Sequence, residues 1–412
     1  RVTRHASRIP RGEREMNVSI LGTYNSKFGK LEGKSIYDLI IEAGKGAIED
    51  SGLNPADIDA IYVGNFSSGG FNGQEHLAPV AIDIHRDLRF KPVTKVEDAC
   101  ASSSAAVYEG VYSILAGRYK NVLVIGAEKM TELKTRDMMR VLGMASYCPT
   151  EGSKGETFPG LFAKFATGYR DHYGYTDEQM RKWLAMSAAK AYKNAKSNPL
   201  AHMPSDLTWK DILNLPPEKN VQIAGLFHLH DCSLVSDGSA AVVLATTDRA
   251  KSMKGKVVEF AGIGHTTDYL ELSKRENYTL KAGKMAISKA LDEAGLTIND
   301  INVAEVHDCF TITEILILEA MGLAKDGEGW KLLEDEQSMI YPGGKLPVNL
   351  SGGLKAKGHP VGATGVSMHV LIAKQLMGEA IGIQAEGAEI GLTFNIGGSG
   401  ASNLASVLRR VK

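Results

Sequence analysis

The feature that most constrains this chain is an internal duplication. The stretch Ala47-Ile-Glu-Asp-Ser-Gly-Leu-Asn-Pro-Ala-Asp-Ile-Asp-Ala-Ile-Tyr-Val63 is answered, position for position, by Ala290-Leu-Asp-Glu-Ala-Gly-Leu-Thr-Ile-Asn-Asp-Ile-Asn-Val-Ala-Glu-Val306. A repeat of this kind is one supersecondary unit used twice. Each copy predicts an amphipathic helix closed by Gly-Leu, a short acidic turn and a buried strand. Gly52 and Gly295 are expected to end their helices in the left-handed conformation, which costs glycine no steric penalty. Ser35 is placed to cap the first helix, with Ile36, Leu39, Ile40, Ala43 and Ala47 on its apolar stripe. Ala282, Met285, Ala286 and Leu291 carry the corresponding stripe in the second copy. The expected architecture is therefore α/β, with two duplicated halves at 16–130 and 251–412 and an inserted loop domain at 131–250. The insert predicts a helix over Asp177 to Asn194, loops such as Gly155-Glu-Thr-Phe-Pro-Gly, and a closing strand over Ala240 to Thr246. Residues 1–15 are basic and aperiodic, and read as a disordered arm or as sequence upstream of a natural start at Met16.

Bulk properties exclude several classes of function. A formal net charge of −1 gives no electrostatic footprint for nucleic acid or an anionic membrane. No apolar run reaches the roughly 20 residues of a spanning helix, and no signal-peptide pattern opens the chain. The 4 cysteines, Cys100, Cys148, Cys232 and Cys309, include no Cys-x-x-Cys pair. That pattern argues against a zinc site and for free thiols in the cytoplasm, with no metal expected.

Four segments carry candidate chemistry. Cys100, in Glu97-Asp-Ala-Cys-Ala-Ser-Ser-Ser, falls between a strand-like run (Pro92 to Val96) and a helix of small residues (Ser102 to Ala116). A thiol at a helix N-terminus is favoured as thiolate and suits a nucleophile. A plain buried cysteine on a core helix is the alternative. His359, in Gly358-His-Pro-Val-Gly-Ala-Thr-Gly, sits in a glycine-rich loop before a helix (Thr364 to Met377) and suits the base of a thiol. A helix-capping histidine is the bland reading of that segment. His307-Asp-Cys-Phe310 ends a strand (Val303 to Val306), where α/β sheets present side chains to ligands. His307 can donate to an oxyanion and Cys309 can move protons; a core cysteine beside a hydrogen-bonded histidine accounts for the segment equally well. Asn395-Ile-Gly-Gly-Ser-Gly400 follows another strand (Ile390 to Phe394) and can expose amides to a carbonyl oxygen. It lacks the Gly-x-Gly-x-x-Gly and helix of a dinucleotide loop.

In their order along the chain these segments resemble the thiolase family, over nearly all of residues 16–412. The resemblance implies a layered αβαβα thiolase fold and an acyltransferase. In such an enzyme His359 deprotonates Cys100, which carries an acyl group as a thioester and passes it to a carbon nucleophile with C–C bond formation, or cleavage in reverse. Coenzyme A thioesters are the implied substrates, with no permanently bound cofactor. Two departures mark a branch: His307-Asp-Cys-Phe310 replaces the usual Asn-Glu-Ala-Phe, and Asn395 stands where the second cysteine usually does. This resembles the sterol-carrier-protein-type and archaeal thiolases, in which the cysteine of His-Asp-Cys-Phe is the acid/base. By that likeness Cys309 is the acid/base, His307 lines one oxyanion hole, and the backbone amides of Cys100 and Gly397 form the other. Asp231-Cys-Ser233 resembles a structural segment of the family, which makes His230 and Cys232 structural.

Three functions compete. One is an acetyl-coenzyme A C-acetyltransferase; another is a coenzyme A-independent C-acetyltransferase like the thiolase-like subunit of monoacetylphloroglucinol acetyltransferase. The third is a non-catalytic scaffold subunit, which would not need Cys100, His307, Cys309 and His359 together. The resemblance also implies a homodimer or homotetramer, a zinc-ribbon/OB-fold partner and a condensing-enzyme-like subunit. Tyr147, Phe158, Phe162, His202 and Phe227 of the insert are candidates to wall an aromatic pocket, with core packing the alternative for most.

Overall fold

The structure, a computed structural model, describes residues 16–412. The expected arm at 1–15 lies outside the described residues. The first half contains β1 (Val18–Asn25), α1 (Ile36–Ser51), β2 (Ala60–Gly64), β3 (Val93–Val96), α2 (Ser102–Leu115) and β4 (Asn121–Glu128). The insert supplies α3 (Thr135–Gly143), α4 (Phe158–Tyr173) and α5 (Asp177–Ala195), and β5 (Gly238–Thr246) follows it. The second half contains β6 (Val258–Thr267), α6 (Lys281–Ala294), β7 (Val303–Val306), α7 (Thr311–Ala320), α8 (Thr364–Met377), β8 (Ile390–Gly397) and β9 (Ser402–Arg410).

The duplication governs the topology. Among the described residues these 9 strands form one sheet in the order β3-β2-β4-β5-β1-β6-β9-β8-β7, beside a separate 2-stranded sheet in the insert. Reading outward from the β1/β6 seam, each half repeats the other: β1 matches β6, β5 matches β9, β4 matches β8 and β2 matches β7. The seam itself rests on Ser19 opposite Glu259 and Ile20 opposite Val258. The counterpart of β3 has shrunk to a single bridge between Val348 and Ala304. β3 leads to Cys100 and Val348 leads to His359, so the two residues descend from equivalent places in the two halves.

Both sheet faces are covered. α1 packs on β1, β4 and β5; α2 and α8 lie against each other between the halves; α6 covers β6 and β9 from the far side. β4 is buried along its whole length and β5 up to its last residue, as strands sandwiched between helical layers must be. Three apolar clusters, two outer and one around α2 and α8, follow from these layers. The expected αβαβα arrangement is what the chain adopts.

Local expectations hold with instructive exceptions. Ser35 accepts from the Asp38 amide in a capping box, and Gly52 closes α1 at φ 76°. Gly295 closes α6 at φ 65°. Met285, expected on the buried stripe of α6, is 57% exposed. The helix buries the 282/286/290 and 283/287/291 rows, and position 285 points the opposite way. The strand expected to end the insert is β5, an inner strand of the first half paired with β4 and β1. Glu156-Thr-Phe-Pro-Gly160, expected as loop, starts α4: Thr157 caps it by accepting from the Gly160 amide, and Pro159 lies in the first turn, where its missing N–H costs nothing.

Candidate active site

The N-termini of α2 and α8 meet at the centre of the molecule. A Cβ on Gly365 would stand 2.3 Å from the Ser104 amide nitrogen, so only glycine lets these two helices come so close. The Val366 amide donates to Ser103 Oγ at 3.0 Å and fixes the approach. Cys100, on the turn before α2, is thereby brought to His359, on the loop before α8. The Cys100 sulfur and one ring nitrogen each of His307 and His359 all lie within 4.8 Å of one another. The two imidazoles stand edge to face, with centroids 5.0 Å apart.

The hydrogen-bond network assigns both tautomers. Thr364 Oγ1 donates to the Pro360 carbonyl at 3.0 Å, so it accepts from His359 Nδ1–H at 2.7 Å. His359 Nε2 is then an unprotonated lone pair. Around His307 the chain of donors runs the other way. Ser104 Oγ donates to Asn395 Oδ1 at 2.8 Å, which turns the Asn395 amide so that its Nδ2 donates to His307 Nδ1 at 2.8 Å and to the Cys100 carbonyl at 3.3 Å. His307 Nε2 therefore carries the proton, and it is buried without a partner. A buried donor left unpaired is costly and implies a ligand atom that will accept from it. A metal held by Cys100, His307 and His359 would need lone pairs on both rings, and His307 presents N–H instead.

Burial dominates the electrostatics. It pushes the Cys100 thiol up to about 12, with the Glu128 charge adding to the rise and the amides of Gly398 and Cys100 opposing it. The helix-terminus argument for a resting thiolate is thus outweighed by desolvation. His359 is held down at about 3 by burial and by the Lys357 charge. Burial drives His307 well below the ordinary histidine range as well. At neutral pH the resting set is a neutral thiol beside two neutral imidazoles.

A cavity of about 100 Å³ opens onto Cys100 and His359, walled among others by Cys309, Phe158, Phe162, Phe310, Met130 and Gly398. Cys309 is 4% exposed, and burial, the Cys100 sulfur and Asp308 all drive its thiol well above the usual range. Among the aromatic candidates, Phe158 and Phe162 wall the cavity. Phe227 stacks on Phe310 at 5.5 Å behind it, and Tyr147 and His202 lie elsewhere. Cys232, read as structural, also reaches the cavity wall. His230 does not, and is bonded to the Tyr192 hydroxyl at 2.8 Å. The amide directed at the Cys100 sulfur belongs to Gly398, one residue beyond the expected Gly397, which is still within β8 and opposite Ser402.

Sequence reasoning missed the residues that set the chemistry from behind. Asn395 was visible only as an unusual residue where relatives carry cysteine, and Thr364 only as part of a glycine-rich motif. Glu128 had no signal at all. Its carboxylate receives Asn65 Nδ2 and the amides of Phe66 and Gly362 at 2.9–3.0 Å, pinning the His359 loop to the end of β4. Burial raises this carboxyl to about 7.

Comparison with known proteins agrees with this geometry. Residues 18–248 match the family described as "Thiolase, N-terminal domain", and residues 264–410 match "Thiolase C-terminal domain-like". The acetyl-CoA acetyltransferase of Methanothermobacter thermautotrophicus is 40% identical over 96% of this chain and 100% of its own length. Sterol carrier protein 2 of Homo sapiens is 29% identical over 93% of this chain and 70% of its own. Among solved structures, "Ltp2-ChsH2(DUF35) aldolase" superposes with a TM-score of 0.80 at 22% identity, covering 96% of this chain and 98% of that one. The chain belongs to the thiolase family, and it is an acyltransferase. Among the described residues no helix is long and apolar enough to cross a membrane.

Proposed function

We propose that the protein is an acetyl-coenzyme A C-acetyltransferase in which Cys100, His359, Cys309 and His307 are the reacting set. The observation that carries this is that Cys100, His359 and Cys309 line one small apolar cavity, with a ring nitrogen of His307 within 4.8 Å of the Cys100 sulfur and both histidine tautomers assigned. In the cleavage direction, His359 Nε2 takes the Cys100 proton as the sulfur attacks the ketone carbon of acetoacetyl-coenzyme A. The C–C bond breaks, the departing carbanion takes the Cys309 proton, and one acetyl-coenzyme A leaves. The Cys309 thiolate then deprotonates coenzyme A, whose sulfur attacks the acetyl-enzyme, and the Cys100 sulfur recovers its proton from His359. Synthesis is the same path reversed. A Cys309 held neutral by burial is the form that can donate first. The amides of Cys100 and Gly398 face the oxygen developing on the acyl carbon, Gly398 taking the place expected for Gly397. His307 Nε2–H is the donor for the enolate oxygen.

The size of the cavity supports acetyl as the group carried. About 100 Å³ is well below the ~300–1,000 Å³ of sites for drug-sized ligands, which suits a small acyl group. The archaeal relatives named as acetyl-CoA acetyltransferases at 40% and 38% identity point the same way. They also support the archaeal-type branch over the coenzyme A-independent one. β3 forms a free edge of the sheet, beside a Phe90 that is 92% exposed. Exposed edges invite pairing, so a second copy of this chain is the assembly proposed, in the cytoplasm. A small zinc-ribbon/OB-fold partner rests on the family likeness alone, beside one structural neighbour whose description includes ChsH2(DUF35).

Incubation with acetyl-coenzyme A, and separately with an acetylated phloroglucinol, tests the donor by intact mass. Acetyl-coenzyme A alone is expected to add one acetyl group to Cys100. Labelling only by the phenolic donor would reverse the assignment. Cys309→Ala is expected to keep acetylation within about threefold of wild type while losing acetoacetyl-coenzyme A formation by ~10²–10⁴. Loss of both steps together would count against Cys309 as the acid/base.

A further inference from the structure

Arg275 stands outside every motif considered so far, and its surroundings are unusual for a guanidinium. It lies between β6 and α6, partly buried, and forms no ion pair among the described residues. Its Nη2 instead donates to the Ser399 carbonyl at 2.7 Å and to Ser399 Oγ at 2.8 Å. Nη1 lies 3.1 Å from where a Cβ on Gly400 would be, and Nε is buried with no partner. The guanidinium also faces the Phe165 ring at 5.9 Å, on the helix whose Phe158 and Phe162 wall the cavity. The charges of Asp268 and Glu151 favour this cation from beyond ion-pair distance and burial outweighs them, so the contacts it does make call for an explanation.

Those contacts hold one turn. Ser399 is fully buried between Gly398 at φ 60° and Gly400 at φ 92°. Two glycines in left-handed conformation leave this backbone soft, because no side chain packs it in place. An oxyanion donor is effective only when preorganised at hydrogen-bond distance from the developing charge. A guanidinium whose Nη2 donates to both the carbonyl and the hydroxyl of Ser399 removes that softness at the residue after Gly398. We propose that Arg275 is a positioning residue: by clamping Ser399 it holds the Gly398 amide towards the oxygen of the acyl group on Cys100. This rests on the acyl-transfer reading given above.

The full-length chain carrying Arg275→Ala, beside Arg275→Lys, tests the clamp by quenched intact-mass kinetics with acetyl-coenzyme A. Arg275→Ala is expected to lower the saturating acetylation rate of Cys100 about 10–100-fold, less than the ~10²–10³ of deleting an oxyanion donor outright. The half-saturating acetyl-coenzyme A concentration should stay within about threefold, since ground-state binding is not what is lost. Millimolar guanidinium chloride should restore much of the rate in Arg275→Ala and none in wild type. Arg275→Lys, which keeps the charge on a single nitrogen, should fall between wild type and Arg275→Ala and supplies the answer if the alanine variant does not fold. A wild-type rate in either variant, a loss confined to half-saturation, or a folded Arg275→Ala indifferent to guanidinium overturns the inference. A wild type that acquires no acetyl group on Cys100 instead overturns the acyl-transfer reading itself.

Discussion

Cys100→Ala is expected to abolish acetyl-enzyme formation and to lower acetoacetyl-coenzyme A turnover by about 10⁴–10⁶, the scale on which covalent catalysts lose their nucleophile. A sulfur can both attack a thioester carbonyl and leave again as a stable anion, and that of Cys100 is the cysteine sulfur grouped with ring nitrogens of both His307 and His359. The site also predicts a graded result for Cys100→Ser. A hydroxyl at this position would keep the hydrogen bonds from the amides of Gly398 and Cys100. It would be harder to deprotonate than a thiol already pushed up to about 12, and it would bind the acetyl group as a less reactive ester. Serine is therefore expected to trap acetyl slowly and release it more slowly still. Fold is not expected to suffer: the side chain is 9% exposed and small, so alanine costs about 1 kcal/mol. Intact-mass measurement after incubation with acetyl-coenzyme A, with circular dichroism as the control for folding, checks both variants. An adduct of undiminished yield on Cys100→Ala would mean that another residue carries the acyl group, and Cys232 on the cavity wall would be the first to examine.

How much of this was legible in the sequence depends on where the information resides. The duplicated helix–turn–strand units were readable because Gly52 and Gly295 close helices by a local conformational rule that needs no tertiary context. Cys100 and His359 were readable because each stands at a strand–helix junction inside a run of small residues. That the two junctions descend from equivalent places in the halves appears only in the structure, where β3 and the remnant bridge at Val348 occupy matching positions. Arg275 was not readable, because its partner Ser399 is more than a hundred residues away and neither lies in a periodic pattern. The resting charge state was misread for a related reason. A helix N-terminus is visible in sequence and argues for a thiolate, whereas the completeness of burial that overrides it is a property of the packed core. The Gly398/Gly397 difference is a one-residue matter of where β8 stops pairing, which periodicity does not resolve.

His359→Ala is expected to slow Cys100 acetylation by ~10²–10⁴, the range for loss of a positioned general base. The neutral resting pair makes this base more than an accessory. A thiol held near 12 supplies almost no anion at pH 7 by itself, so the proton must pass to Nε2 as the sulfur attacks. Nε2 is free to take it because Thr364 holds the proton on Nδ1, and Thr364→Val should reproduce part of the loss without touching the base itself. The pH profile separates this arrangement from a preformed thiolate–imidazolium pair. With His359 at about 3 and Cys100 at about 12, neither group changes protonation between pH 5 and 9. The acetylation rate of wild type should therefore show no rise through pH 8–9, where an ordinary thiol ionises. Of the groups whose charge acts on the Cys100 sulfur, Glu128 titrates inside the window, at about 7, and Asp308 beside Cys309 is raised by burial to about 7 as well. The Glu128 charge is one cause of the raised Cys100 value and is lost as pH falls below about 7, so any trend should be a shallow fall in rate towards alkaline pH. Stopped acetylation time courses from pH 5 to 9 check the sign. A rate that climbs with a midpoint near 8.5 would show the sulfur ionising independently of His359, and a His359→Ala variant acetylating at the wild-type rate would remove the imidazole from the reaction.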